Sequence, residues 1–194
     1  MFRCLSAVLV AGVVAVVGSA GEFNKVVKIG DAAPAFSGLP GVDDKNHSLG
    51  DYKKDVVVIA VTCNHCPVAV AYEDRMIAFA KKYADKVDFI AINVNNLEAD
   101  KLPAMKVRAK DKGFNFPYLY DESQKIGKEY GATVTPEFFV LNKERKIVYM
   151  GAFDNKQNGA TENFLEPAVE AALKGSAPTK AETKPFGCGV KYDK

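Results

Sequence analysis

The sequence predicts an α/β domain: a central mixed sheet with flanking helices. Strand-length apolar runs alternate with helical periodicities over most of the chain, which implies a parallel sheet core. The first of these runs, residues 55–62, reads Asp55-Val56-Val57-Val58-Ile59-Ala60-Val61-Thr62, and so continuous a β-branched stretch suits a strand buried on both faces. Two later runs are joined only by Asn142-Lys143-Glu144-Arg145, short enough for an antiparallel hairpin, and this makes the sheet mixed.

Composition agrees with one globular domain. Of 194 residues, 48% are hydrophobic and 26% charged, which excludes disordered, fibrous and collagen-like chains. The formal net charge of +2 excludes a broad electrostatic pull onto nucleic acid or an anionic membrane, so partners are expected to be recognised at a site.

Residues 1–20 read as a secretory signal peptide. Arg3 precedes an uncharged stretch, residues 5–17, and Gly18-Ser19-Ala20 supplies small residues for cleavage. The stretch is short for a membrane span, which takes about 20 apolar residues. Cys4 leaves with the signal, and export to a periplasmic or extracellular compartment follows, with no stable membrane insertion after cleavage. The folded domain is expected over residues 21–174, opening on a Gly-, Pro- and Asp-rich segment. After the strand at 55–62, residues 68–83 place Val68, Tyr72, Met76, Phe79 and Tyr83 at three- and four-residue steps, an amphipathic helix. A strand follows at 87–94, a helix at 98–112, a short strand at 116–120 and a helix at 123–130. Strands at 137–141 and 146–150 form the hairpin, and a helix at 161–174 closes the domain. Residues 175–194 form a tail, either an extended strap or a mobile end, whose one reactive group is Cys188.

The chemistry centres on Cys63-Asn64-His65-Cys66. A Cys-x-x-Cys between a buried strand and a helix puts its first sulfur at the helix N-terminus, where free amides favour a thiolate. Two intervening residues let the sulfurs close a disulfide, so the pair can exchange electrons with a partner disulfide. On this reading Cys63 attacks, Cys66 resolves, and His65 stabilises the Cys63 thiolate. Pro67 fits the first helical turn, where no amide donor is required. The rival reading, half of a structural zinc site, lacks its second pair of ligands: only His47, His65 and Cys188 remain. No metal and no cofactor beyond the redox-active disulfide are expected.

The order strand, Cys63-Asn64-His65-Cys66, amphipathic helix, then Val134-Thr135-Pro136-Glu137 opening a strand resembles the thioredoxin-like superfamily. Lys28-Ile29-Gly30-Asp31-Ala32-Ala33-Pro34-Ala35-Phe36 resembles the first strand and signature of its redoxin branch, which includes peroxiredoxins and exported thiol-disulfide oxidoreductases. The resemblance implies that Pro136 is cis, and that the backbone of Thr135 pairs with an extended substrate segment beside the dithiol. It implies protein disulfides, protein dithiols or small thiols as partners. The Phe186-Gly187-Cys188 tail resembles that of exported redoxins which share the Cys-Asn-His-Cys-Pro segment, and makes Cys188 a candidate accessory thiol.

Two departures stand out. The buried acid that thioredoxins carry six residues before the first cysteine is Val57 here, and Glu73 lies too far along the helix to serve, so the proton acceptor for Cys66 is unassigned. The Thr or Ser three before, and Pro seven before, a peroxidatic cysteine are replaced by Ala60 and Val56 ahead of Cys63, and by Cys63 and Ile59 ahead of Cys66. A thiol peroxidase with an antioxidant role is therefore the alternative reading, not the first. A copper-binding module is a third, with a cysteine spacing and last histidine unlike those of the exported copper chaperones. His65 and Thr135 lean the direction of electron flow towards oxidation or isomerisation.

Overall fold

In a computed structural model, which describes residues 21–193, the chain begins with a looped segment that leads into a two-stranded ribbon. The ribbon pairs β1 (Leu39–Pro40) with β2 (Asn46–His47). The expected signal at 1–20, with Cys4, lies outside the described residues. The strand expected at the Gly30-Asp31 signature is instead a turn: Gly30 adopts φ 91°, and Pro34, just beyond, has no N–H to give a ladder. Its backbone reaches the later hairpin at single points, with Gly30 N–H donating to the Ile147 carbonyl at 2.8 Å.

β3 (Val56–Thr62) is buried along its whole length. It leads into α1 (Pro67–Lys82), β4 (Val87–Asn93), α2 (Leu102–Lys112) and β5 (Tyr118–Tyr120). The helix expected at 98–112 is two pieces. Pro103 has no N–H to donate back one turn, so the chain makes a single 3-10 turn at Glu98–Asp100, extends at Lys101 and restarts with Pro103 in the first turn of α2. Gly113, at φ 68°, ends α2 in the left-handed region.

Next come α3 (Lys125–Glu129), shorter than the expected 123–130, the two-residue β6 (Val134–Thr135), β7 (Glu137–Leu141) and β8 (Ile147–Gly151). α4 (Leu165–Leu173) starts four residues later than periodicity suggests. Asn155 Oδ1 takes the amides of Thr161 and Glu162, which holds them outside the helix, and Asn163 Oδ1 takes that of Glu166.

The central sheet has the order β5-β4-β3-β7-β8, with β3 parallel to β4 and antiparallel to β7. Because side chains alternate across it, β3 feeds two cores. Val56, Val58 and Ala60 pack towards α1 and α4, whereas Val57, Ile59 and Val61 face Ile126, Tyr130 and Val27. No helix among the described residues is long and apolar enough to cross a membrane.

The tail is a strap. Glu182 accepts the amides of Glu22, Phe23 and Asn24, Thr183 bonds Tyr149 Oη and the Ala152 amide, and Phe186 packs on Tyr72. It ends in β9 (Cys188–Gly189), paired antiparallel with β6.

Candidate active site

β3 delivers the chain at Thr62 to the carboxyl end of the sheet, and Cys63 to Cys66 make the turn into α1. The helix starts at Pro67, so its N-cap is Cys66, not Cys63: the Cys66 sulfur accepts the Ala69 amide at 3.5 Å. The expectation that the first sulfur occupies the helix N-terminus is therefore corrected. Proline at the first helical position fixes where the helix can begin, and Cys63 stands four residues before it.

Both sulfurs converge on Thr135. Cys63 Sγ lies 3.2 Å from Thr135 Oγ1, and Cys66 donates to the Thr135 carbonyl at 3.3 Å. The Thr135–Pro136 peptide is cis. Cys63, Cys66 and Cys188 are all free thiols.

The electrostatics of the two sulfurs are opposite. Burial pushes the Cys63 thiol up to about 12; the bonds to Thr135 and the Cys66 amide act against this, and the Asp100 carboxylate adds to it. Cys66 is buried too, but hydrogen bonds from Cys188, Ala69 and Thr135 outweigh the desolvation and bring it below the ordinary thiol value. Cys188 is raised, first by the same bond to Cys66.

His65 turns to Asp100, its Nδ1 2.5 Å from Oδ2. Asp100, whose side chain is fully buried, also takes the amides of Asn64 at 2.8 Å and His65 at 3.2 Å. It thus organises the whole Cys63–Cys66 turn, and sequence reasoning missed it. The only sequence cue was an acid just before Pro103, in a stretch read as helix. Atoms of Cys63, His65 and Asp100 able to ligate a metal lie within 4.8 Å of one another. His65 Nδ1 is already hydrogen-bonded to the Asp100 carboxylate, whereas the Cys63 sulfur is bonded to Thr135.

Glu137 was missed as well. It follows Pro136, is 3% exposed and accepts the Thr133 amide at 2.9 Å, and burial raises its carboxyl to about 7. Glu73, also buried, is held by Arg108 through two bonds of 2.7 and 2.8 Å. Its role is to tie α1 to α2.

The Thr135 edge, expected to receive a substrate segment, is taken by the tail: Cys188 stands opposite Thr135, and Gly189 opposite Val134.

A family model described as Redoxin matches residues 28–169. The thiol-disulfide oxidoreductase ResA of Bacillus cereus (strain ATCC 10987 / NRS 248) is 27% identical over 154 residues, 76% of this chain and 84% of ResA. Among solved structures, a hypothetical protein from Sinorhizobium meliloti 1021 aligns at TM-score 0.81 with 31% identity, covering 88% of this chain and 97% of that one. A thiol:disulfide interchange protein of the thioredoxin family from Chlorobium tepidum TLS aligns at TM-score 0.60 with 22% identity, covering 76% and 99%. The fold is thioredoxin-like.

Proposed function

The chain belongs to the redoxin family of oxidoreductases, and from that premise we propose that it is an exported thiol-disulfide oxidoreductase working through the Cys63–Cys66 dithiol. One observation carries the reading: two free sulfurs, with two residues between them, both lie within 3.3 Å of a Thr135 oxygen. A dithiol so held can close to a disulfide with little backbone motion.

In the reducing direction the Cys63 sulfur attacks one sulfur of a partner disulfide, displacing the other as a thiolate. Cys66 then attacks the Cys63 sulfur, releasing the second partner thiol and leaving the Cys63–Cys66 disulfide. The oxidising direction is the reverse. Cys66, with its lowered thiol, suits the resolving role. His65, anchored by Asp100, has a ring nitrogen within 4.8 Å of the Cys63 sulfur and is the group assigned to share its proton. Thr135 and Pro136 stand beside the pair, on the edge that the tail covers and that an extended partner segment would take in its place. The redox-active disulfide is the one cofactor required, and the partners are protein disulfides, protein dithiols or small thiols. Export rests on the signal-like residues 1–20 ahead of the folded unit.

The test is exchange with a protein disulfide, for example insulin, by the wild type and by Cys63→Ser and Cys66→Ser variants. The wild type should catalyse it, both variants should lose it, and Cys66→Ser should accumulate mixed disulfides through Cys63. Exchange no faster than that of free cysteine would sink the reading. The reduction potential then sets the direction: about −270 mV marks a reductant and about −120 mV an oxidant.

A further inference from the structure

The tail brings a third sulfur into the site by backbone pairing. β9 runs antiparallel to β6 with Cys188 opposite Thr135, the residue on which both other sulfurs converge. The strand is fixed on both sides. Before it, Phe186 packs edge-on against Tyr72 with ring centroids 6.0 Å apart. After it, the Val190 amide donates to the Thr133 carbonyl at 3.0 Å and the Lys191 amide to Asn95 Oδ1 at 2.7 Å. Cys188 packs on the cluster of Cys63, Cys66 and Ala69, and its thiol is hydrogen-bonded to Cys66. Accessibility is graded outward: Cys66 is 0% exposed, Cys63 3%, and Cys188 half-buried.

We propose that Cys188 is a third redox cysteine, which exchanges with the Cys63–Cys66 disulfide to give a Cys66–Cys188 disulfide and a free Cys63. The proposal rests on the dithiol reading above. In the step, Cys188 loses its proton to solvent and its thiolate attacks Cys66 Sγ. The Cys66–Cys188 bond forms as the Cys63–Cys66 bond breaks, and Cys63 leaves as a thiolate and takes up a proton. One disulfide is present before and after, so no outside oxidant or reductant is consumed. Burial of Cys63 slows its departure as a thiolate but, once it is protonated, disfavours its return as a nucleophile. The exchange carries the disulfide from two enclosed sulfurs to a pair with one sulfur near solvent, where a partner thiolate can reach it. By occupying the Thr135 edge, the tail behaves as the first substrate of its own dithiol.

The full chain, isolated as a monomer, is equilibrated against graded ratios of oxidised to reduced dithiothreitol, acid-quenched, alkylated and digested with trypsin without reduction. Cys63 and Cys66 fall in one peptide, residues 55–75, and Cys188 in another. An internally linked 55–75 peptide reports the dithiol, and a cross-link between the two peptides reports Cys188. The cross-link is expected in wild type, retained in Cys63→Ala and reduced at least tenfold in Cys66→Ala. Internal linkage with no cross-link would overturn the relay and leave the dithiol reading standing. A cross-link undiminished in Cys66→Ala would also overturn it. Neither product at the most oxidising ratio would overturn both.

Discussion

Gly187 lies so close to Thr135 that a Cβ on it would run into the Thr135 carbonyl and the Pro136 nitrogen. These are backbone atoms and cannot swing aside. Gly187→Ala is therefore expected to lift β9 from β6 and to raise the alkylation rate of Cys188 in the native protein about tenfold. Destabilisation should be in the range of about 1–3 kcal/mol typical of overpacking. An unchanged alkylation rate would mean that the strand accommodates the methyl group without leaving.

The two sulfurs of the dithiol should titrate in reverse of their order in the chain. Cys66 is brought below 9 by its hydrogen bonds, whereas burial holds Cys63 at about 12. Alkylation rates resolved by tandem mass spectrometry, each normalised to its own plateau, should place the Cys66 midpoint below that of Cys63 by more than a pH unit. A Cys63 midpoint at or below that of Cys66 would refute this.

Asp100→Asn removes a buried charge that both holds the turn and disfavours a Cys63 thiolate. Two effects are expected together: a loss of about 2–3 kcal/mol in urea unfolding, as for other buried charged hydrogen bonds, and a lower Cys63 alkylation midpoint. Instability alone, with the midpoint unmoved, would confine Asp100 to a structural role.

Glu137 imposes a pH dependence whose sign follows from its raised carboxyl. Between its ordinary 4.5 and about 7 the folded chain keeps a proton that the unfolded chain has released, so stability falls as pH rises through that window. The full effect is on the order of 3 kcal/mol. Glu137→Gln should gain on the wild type by roughly that amount between pH 4.5 and 8 in urea titrations, and an equal difference at both pH values would contradict the assignment.

Arg108→Ala strands the Glu73 carboxylate between α1 and α2, where Lys112 at 3.5 Å is its one other ion-pair partner among the described residues. Breaking a buried pair in this way costs about 3–5 kcal/mol. Urea unfolding measures it, and Glu73→Gln combined with Arg108→Ala should recover part of the loss.

Features that rest on repetition could be read from the amino-acid order. The β-branched run of β3, the stripe of Tyr72, Met76 and Phe79 on α1, and the short connection between β7 and β8 each repeat one signal over several residues. The dithiol was legible because cysteine is scarce and its spacing specific. What escaped depends on single residues acting across the fold. Pro103 breaks a helical pattern that its neighbours support, and the break leaves Asp100 beneath His65, 35 residues away in sequence. Pro67 sets the start of α1 and so assigns the N-cap to the second cysteine. β9 has only two residues, too few for any periodicity, and its pairing is enforced by contacts of Phe186 and Val190 on either side. Cys188 was visible as a thiol, but its seat opposite Thr135 was not.

The strap and the ribbon also bear on how the molecule meets other copies of itself. An open sheet ends in two rows of unsatisfied backbone groups, which invite strand addition and aggregation. At one margin, Gly41 bridges Leu119 and the Val42 amide donates to the Tyr118 carbonyl at 3.0 Å, which shields β5. At the other, Met150 in β8 exchanges bonds of 3.0 and 3.1 Å with Ala181 and Thr183 of the tail. Truncation after residue 174 would uncover the β8 margin as well as removing Cys188, so the shortened chain should lose colloidal stability at high concentration before it loses its secondary structure.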